Sequence, residues 1–289
     1  MLRSCAFILS LFAASTLNWS APAHSATSAE QKLGRLTIRT IGQGSPVVLI
    51  PGLASPAAVY DDLASKIGRD HKLILVQING FAGSPAGTAP LDNMLTGAVD
   101  ELAAWLAANH IEKPAVIGHS MGGLMEMMLA KRHPAAAGRL MIVDALPFYG
   151  MLFGPQATPD AVRPLVEQMR EGLVSGTNPP QVPPHMSNTD AGKAKILDWL
   201  KTSDRKTVGE ALVEDATTDV RPDLPAITQP VTVLYAVPSP ENQAMIGGLY
   251  AAAYKSLPGV KLVPVAGSEH FIMLDQPARF EEQVQDFLR

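Results

Sequence analysis

Cysteine is almost missing from this chain: one residue, Cys5, among 289. Cys5 stands just ahead of the apolar run "AFILSLFAASTL", which is followed by "NWSAPAHSA", with Ala21 and Ala23 in an A-x-A arrangement. That is the layout of a secretory leader, expected to span residues 1–23, or to run to 26 if the cut falls after Ala26. The rest of the chain then has no cysteine, which excludes disulfides, thiolate catalysis and cysteine metal sites. Export would place the protein in the periplasm or outside the cell. The apolar run is well short of the ~20 residues that a spanning helix needs, so no stable membrane span is expected in the mature form.

Charge is scarce as well. Charged residues make up 17% and the net charge is −4, with no basic stripe suited to a nucleic-acid backbone, so no nucleic-acid partner is expected. The sequence has no internal repeat, no low-complexity block after the leader, no metal-ligand cluster and no dinucleotide fingerprint. "GQGSP" (42–46) lacks the full glycine spacing of such a fingerprint and reads as a turn between strands. No metal and no cofactor are expected.

Apolar residues, at 47%, are sufficient for a sizeable core. Short β-branched runs alternate with helix-period runs. "LTIRTIG" (36–42) alternates and predicts an early antiparallel strand. "PVVLIPG" (46–52), "KLILVQING" (72–80), "PAVIG" (114–118), "GRLMIVDA" (138–145), "PVTVLYA" (230–236) and "VKLVPVAG" (260–267) are continuous runs, as expected of strands buried on both faces. The pattern predicts an α/β domain with a mostly parallel central sheet and helices on both faces. Residues 146–228 break the rhythm. They are rich in proline, hold helix-like pieces near 159–172, 189–202 and 204–216, and are too long for a simple loop. They are expected to form an inserted helical cap, with 27–145 and 229–289 as the core. Ser203 or Asp204 is the expected N-cap of the last piece.

The stretch "AVIGHSMGGL" puts Ser120 between two glycines, after a strand and before the helix "GGLMEMMLAKRHP". A strand-to-helix turn this sharp needs little bulk beside the serine, which Gly118 and Gly122 supply. It exposes the hydroxyl at the carboxyl edge of the sheet, beside a helix N-terminus. With this turn in place, the chain resembles the α/β-hydrolase superfamily: "VVLIPGLASPAAVY", "NGFAGSP", "AVIGHSMGG" and "SEHFIMLDQPARF" fall in that family's order and spacing.

A serine nucleophile needs a general base. The resemblance identifies His270, in the loop after the last strand, as that base. His119 points elsewhere, His110 and His133 lie at helix ends, His71 opens a strand, and His185 sits in the proline-rich part of the cap. The acid is open. The family's commonest place for it, the loop after the next-to-last strand, here holds Ser239, with Glu241 two residues on. The other candidate is Asp144, at the end of "RLMIVDA". Both keep the chain order Ser…acid…His. The expected oxyanion donors are the backbone N–H of Met121 and, by resemblance, that of Leu53, beside Gly52. "LPFYGMLFG" leaves the sheet edge for the cap, so Phe148, Tyr149, Met151 and Phe153 are the expected substrate-binding residues. Leu53, Met121, Leu146 and Met273 are further apolar candidates.

The resulting expectation is a serine hydrolase that cleaves a small-molecule, ester-like substrate. Lactone, thioester or amide hydrolysis, acyl transfer, perhydrolysis and carbon–carbon hydrolysis share the same triad. A non-catalytic binding protein that keeps the fold is the alternative from a different class, and a membrane-associated lipase, which would need an exposed apolar cap face, is a third.

Overall fold

The computed structural model of the protein describes residues 29–154 and 156–289. The expected leader lies outside the described residues. Eight strands form one sheet in the order β1-β2-β4-β3-β5-β6-β7-β8. They are β1 (Ala29–Lys32), β2 (Leu36–Ile41), β3 (Ser45–Ile50), β4 (His71–Ile78), β5 (Ala115–His119), β6 (Arg139–Val143), β7 (Val231–Val237) and β8 (Lys261–Ala266). β2 pairs antiparallel with both β1 and β4, and β3 to β8 pair in parallel. β1 is absent from the sequence reading because "AEQK" carries no apolar signal; it is a short polar strand closing one edge.

The period-two alternation of the buried strands feeds two cores. Val48, Ile50, Ile74, Val76, Leu140 and Ile142 point into one, and Val47, Leu49, Leu73, Leu75, Met141 and Val143 into the other. Helices α2 (Met94–Ala108), α3 (Met121–Arg132) and α7 (Gln243–Ala253) cover the first face. α1 (Asp61–Ile67) and α9 (Pro277–Leu288) cover the second, and the short α8 (Ile272–Asp275) precedes α9. This is the α/β-hydrolase fold. Among the described residues, no helix is long and apolar enough to cross a membrane.

Between β6 and β7 the chain builds α4 (Pro159–Ser175), α5 (Asp190–Thr202) and α6 (Arg205–Thr217). Thr158, Thr189 and Asp204 cap their N-termini by accepting from Ala161, Gly192 and Thr207 N–H. Of the two expected caps for α6, Asp204 fills the place. Ser203 instead ends α5 and accepts from Ala82 N–H at 2.8 Å, which ties the insert to the loop after β4.

Candidate active site

The order β4-β3-β5 reverses the direction in which strands are added, and a cleft opens beyond the carboxyl ends at such a switch point. Ser120 stands there, between β5 and α3, with φ 54° and ψ −122°. That backbone conformation is costly for a residue with a Cβ and persists only where its surroundings enforce it. The enforcement is close packing of backbone on backbone. A Cβ on Gly118 would lie 2.2 Å from the Gly122 carbonyl oxygen, and one on Gly122 would lie 2.3 Å from that of Ile50. The Ser120 N–H donates to the Val143 carbonyl at 2.9 Å. Gly52, after β3, passes so near the turn that a Cβ there would come within 3.1 Å of Ser120 Cβ.

Asp144 directly follows β6 and also has a positive φ, 48°. Three donors converge on its carboxylate. Oδ1 accepts from Ala236 N–H at 2.8 Å and from Tyr250 O–H at 3.0 Å; Oδ2 lies 2.7 Å from His270 Nδ1. Burial pushes the Asp144 carboxyl up. The His270 hydrogen bond and charge, with Ala236 and Tyr250, outweigh burial and hold it below the ordinary aspartate value. Glu241 is the carboxylate left out: it is fully exposed, bonds to Ser239 and lines no part of the cleft. The carboxylate in contact with His270 is therefore Asp144.

His270 is fixed from two sides. Its carbonyl accepts from Nε2–H of His119, 3.0 Å away. His119 is fully buried, and burial pushes its imidazole down to about 3, so the ring is neutral and a structural support. From the other side, the insert's backbone clamps the loop: His270 and Phe271 N–H donate to the carbonyls of His185 and Met186 at 3.0 and 2.9 Å. The Asp275 carboxylate joins the two by accepting from Ser187 Oγ and from the N–H groups of Asn188 and Glu269. Among the described residues, no hydrogen bond joins the Ser120 hydroxyl to His270. Such contacts commonly tighten only when substrate is bound.

Ser120, Tyr149, Pro183, Met186, Asp215 and His270 line both of two chambers and mark the waist between them. One, of about 480 Å³, is walled by Met121, Leu146, Leu152, Ile246 and Leu249. The other, of about 360 Å³, is walled by Leu53, Met186, Trp199, Leu200 and Phe271. Leu53 and Met121 flank Ser120 from opposite chambers. Among the described residues, neither of their N–H groups is taken up by another backbone acceptor.

The roof differs from the sequence expectation. Of the four aromatic and methionine candidates, only Tyr149 lines the cleft. Phe148 is wholly buried against Val162, Val166 and Ala216, with the Arg221 guanidinium 4.6 Å above its ring, so it anchors the insert. Met151 packs between the main core and that anchor. Phe153 meets Tyr149 edge-on at 6.0 Å from outside. A 3-10 turn over Tyr149–Phe153 puts residues three apart on one face, so Met151 and Phe153 turn away from the cleft that Tyr149 lines, while Phe148 precedes the turn in extended backbone. Leu152, absent from the expectation, reaches the cavity instead. Met273 lies in the other core, under α9. His185 is both exposed and at the cavity rim.

Two buried carboxyls escape sequence reading. Asp215, on α6, faces the waist. Glu126, on α3, is fully buried with both oxygens unpaired, and burial raises its carboxyl well above the ordinary glutamate value. The one available signal is the acidic residue inside "LMEMML", in a helix buried almost all round.

Residues 47–283 match the sequence profile of the Alpha/beta hydrolase family. An N-formylmaleamate deformylase of Pseudomonas putida is 25% identical over 255 residues, 87% of this chain and 91% of that protein. Among solved structures, a thermophilic esterase from Thermogutta terrifontis superposes with a TM-score of 0.69 at 20% identity, covering 91% of this chain and 98% of that one. An enol-lactonase from Burkholderia xenovorans superposes with a TM-score of 0.65 at 19% identity, covering 88% and 96%.

Proposed function

The chain belongs to the alpha/beta hydrolase family, and on that premise we propose that it is a serine hydrolase cleaving a carboxylic ester through an acyl-enzyme. Ser120 Oγ attacks the carbonyl carbon. His270 Nε2 takes the hydroxyl proton and returns it to the departing alcohol. A water molecule, deprotonated by the same nitrogen, then releases the acid and restores Ser120. Asp144 holds the ring with Nδ1–H toward itself and stabilises the imidazolium formed in each half-reaction. The N–H groups of Met121 and Leu53 receive the oxyanion. The two chambers take the acyl and alcohol parts of the ester on either side of the waist.

The observation that carries this reading is the 2.7 Å contact between His270 Nδ1 and Asp144 Oδ2, on a cleft wall shared with Ser120. It leaves Nε2 as the ring nitrogen free for proton transfer. A second reading, cleavage of a carbon–nitrogen acyl bond, is favoured by the name of the near-full-length Pseudomonas putida relative. The chain is exported on the strength of its leader layout, and mature protein still beginning at Met1 would refute that.

The test is a fluorophosphonate probe followed by a substrate panel. Labelling is expected at Ser120 and is expected to vanish in Ser120→Ala and His270→Ala. A chromogenic butyrate ester, a lactone and an N-formyl amide are then compared. Turnover of the ester above the other two supports the ester reading, and the reverse ranking moves the assignment to the bond preferred. Labelling at another residue, or none, refutes the serine-hydrolase reading and leaves a binding protein.

A further inference from the structure

Asp215 is a buried carboxyl at the cleft that the proposed chemistry does not use. It sits on α6, is 7% exposed, and lines both chambers beside Ser120, Tyr149 and His270. Among the described residues, nothing donates a hydrogen bond to it. His270 is the group whose charge bears on it, and Tyr149 is the other titratable group it faces. The neighbouring carboxylates are provided for. Asp144 has three partners, Asp275 bridges the insert to the His270 loop, and Glu269 lies 3.3 Å from His185. The chambers that Asp215 lines have apolar walls in large part, with Leu146, Leu212, Val208 and Leu200 among them, and the smaller chamber also carries Asn178, Ser203 and Arg205.

A carboxyl largely withdrawn from bulk water and without a protein partner is expensive. Here burial pushes it up to about 7. An aliphatic side chain would line the same wall without that penalty. The penalty is relieved when a bound molecule supplies a donor, and a site built this way rejects analogues that lack the donor far more strongly than an apolar pocket rejects a missing methylene.

We propose that Asp215 is a specificity residue that accepts a hydrogen bond from an O–H or N–H group carried by the substrate close to its scissile carbonyl. The favoured substrates are then donor-bearing acyl compounds, such as hydroxyacyl esters or esters of a diol, rather than simple alkyl esters. This rests on the serine-hydrolase reading above.

The experiment compares two matched pairs, 4-nitrophenyl 3-hydroxybutyrate against 4-nitrophenyl butyrate and 2-hydroxyethyl butyrate against propyl butyrate. kcat/KM is measured for the wild type, Asp215→Asn and Asp215→Leu. In at least one pair the wild type is expected to favour the donor-bearing ester about tenfold or more. That ratio should shrink in Asp215→Asn and fall to about one in Asp215→Leu. Equal ratios in all three proteins overturn the proposal. So does a uniform loss across all four esters with a shifted pH profile, which would make Asp215 a residue acting on His270. A wild type that turns over none of the esters refutes the ester reading instead. In that case, calorimetry on Ser120→Ala with and without Asp215→Leu decides the present point. A preference for 2-hydroxyethyl over propyl butyrate that disappears with Asp215 upholds it, and no preference overturns it.

Discussion

Replacing Asp144 by Asn tests the His270 contact with little disturbance elsewhere. The residue has φ 48°, a left-handed conformation that Asn tolerates nearly as well as Asp and that Ala does not. The new amide is also oriented by its surroundings. Ala236 N–H and Tyr250 O–H both donate to Oδ1, so the amide oxygen takes that place and the NH2 group is directed at His270. Two donors cannot face one another, so His270 Nδ1 must become the acceptor and its proton moves to Nε2. An imidazole protonated at Nε2 cannot take the proton from Ser120. Where this swap has been made in a Ser-His-Asp triad, with the geometry kept and the tautomer wrong, turnover falls by about 10⁴. That corresponds to roughly 5 kcal/mol of transition-state stabilisation at about 1.4 kcal/mol per tenfold. Glu241→Gln alters a fully exposed carboxylate that lines no part of the cleft, and its effect should stay within about twofold. The assay is kcat of chromogenic ester hydrolysis, with circular dichroism to verify folding. A folded Asp144→Asn protein within tenfold of wild type, or a larger loss in Glu241→Gln, refutes the tautomer argument.

The remaining predictions concern stability and the turn. Ser120→Gly should abolish ester turnover yet raise stability by about 1 kcal/mol, because relief of roughly 1–3 kcal/mol of backbone strain exceeds the added chain entropy of glycine. Thermal melting should show a gain of about 2–4 °C, and a lower melting temperature contradicts the strain assignment. Glu126→Gln should remove a pH dependence. Burial raises the Glu126 carboxyl, so the folded state binds its proton more tightly than the unfolded state does, and stability is lost as pH rises from the ordinary glutamate range through the raised folded value. The variant should match or trail wild type near pH 4 and exceed it near pH 8, by about 1–3 kcal/mol in denaturant titrations. A wild-type advantage that grows with pH contradicts this.

What the sequence could convey depended on how local each determinant is. The parallel strands are legible because strands buried on both faces must be continuously apolar, and the Ser120 turn because its Gly-x-Ser-x-Gly pattern is contiguous, with Gly118 packed on the backbone of Gly122 and Gly123. The donor pattern around Asp144 is not local. Its partners come from β7 and α7, about a hundred residues away, so the sequence left Asp144 and Glu241 both open. Met151 and Phe153 were misplaced because a 3-10 turn sets their directions, and nothing in "LPFYGMLFG" distinguishes that turn from an extended exit; Phe148, just ahead of the turn, was misplaced because its burial depends on α4 and α6. Asp215 looks like any polar residue on an amphipathic helix until the angle of α6 is known. The clamp of residues 185 and 186 on the His270 loop is made by backbone groups, which every sequence has.

The strain and the clamp together divide the site into a fixed part and an adjustable part. Ala54, Ser120 and Asp144, each with positive φ, follow the carboxyl ends of β3, β5 and β6, three neighbours in the sheet. Each outlier costs on the order of 1–3 kcal/mol, and two of them are tied to the next strand along: Ser120 N–H to Val143 of β6, and Asp144 N–H to Leu234 of β7. The hydroxyl and the carboxylate therefore ride on the sheet itself. The His270 imidazole meets this fixed part through a side-chain contact, Nδ1 to Asp144 Oδ2, rather than through its own backbone. Its loop is held by the His119 ring on one side and by the insert on the other, so any shift of the insert that widens a chamber also moves the ring relative to Ser120. Cleft size and proton-transfer geometry are thus set by the same contacts. Substitutions in the 185–188 strap should consequently change kcat along with KM. Substitutions on the apolar chamber walls remote from the strap, such as Leu249, should act chiefly on KM.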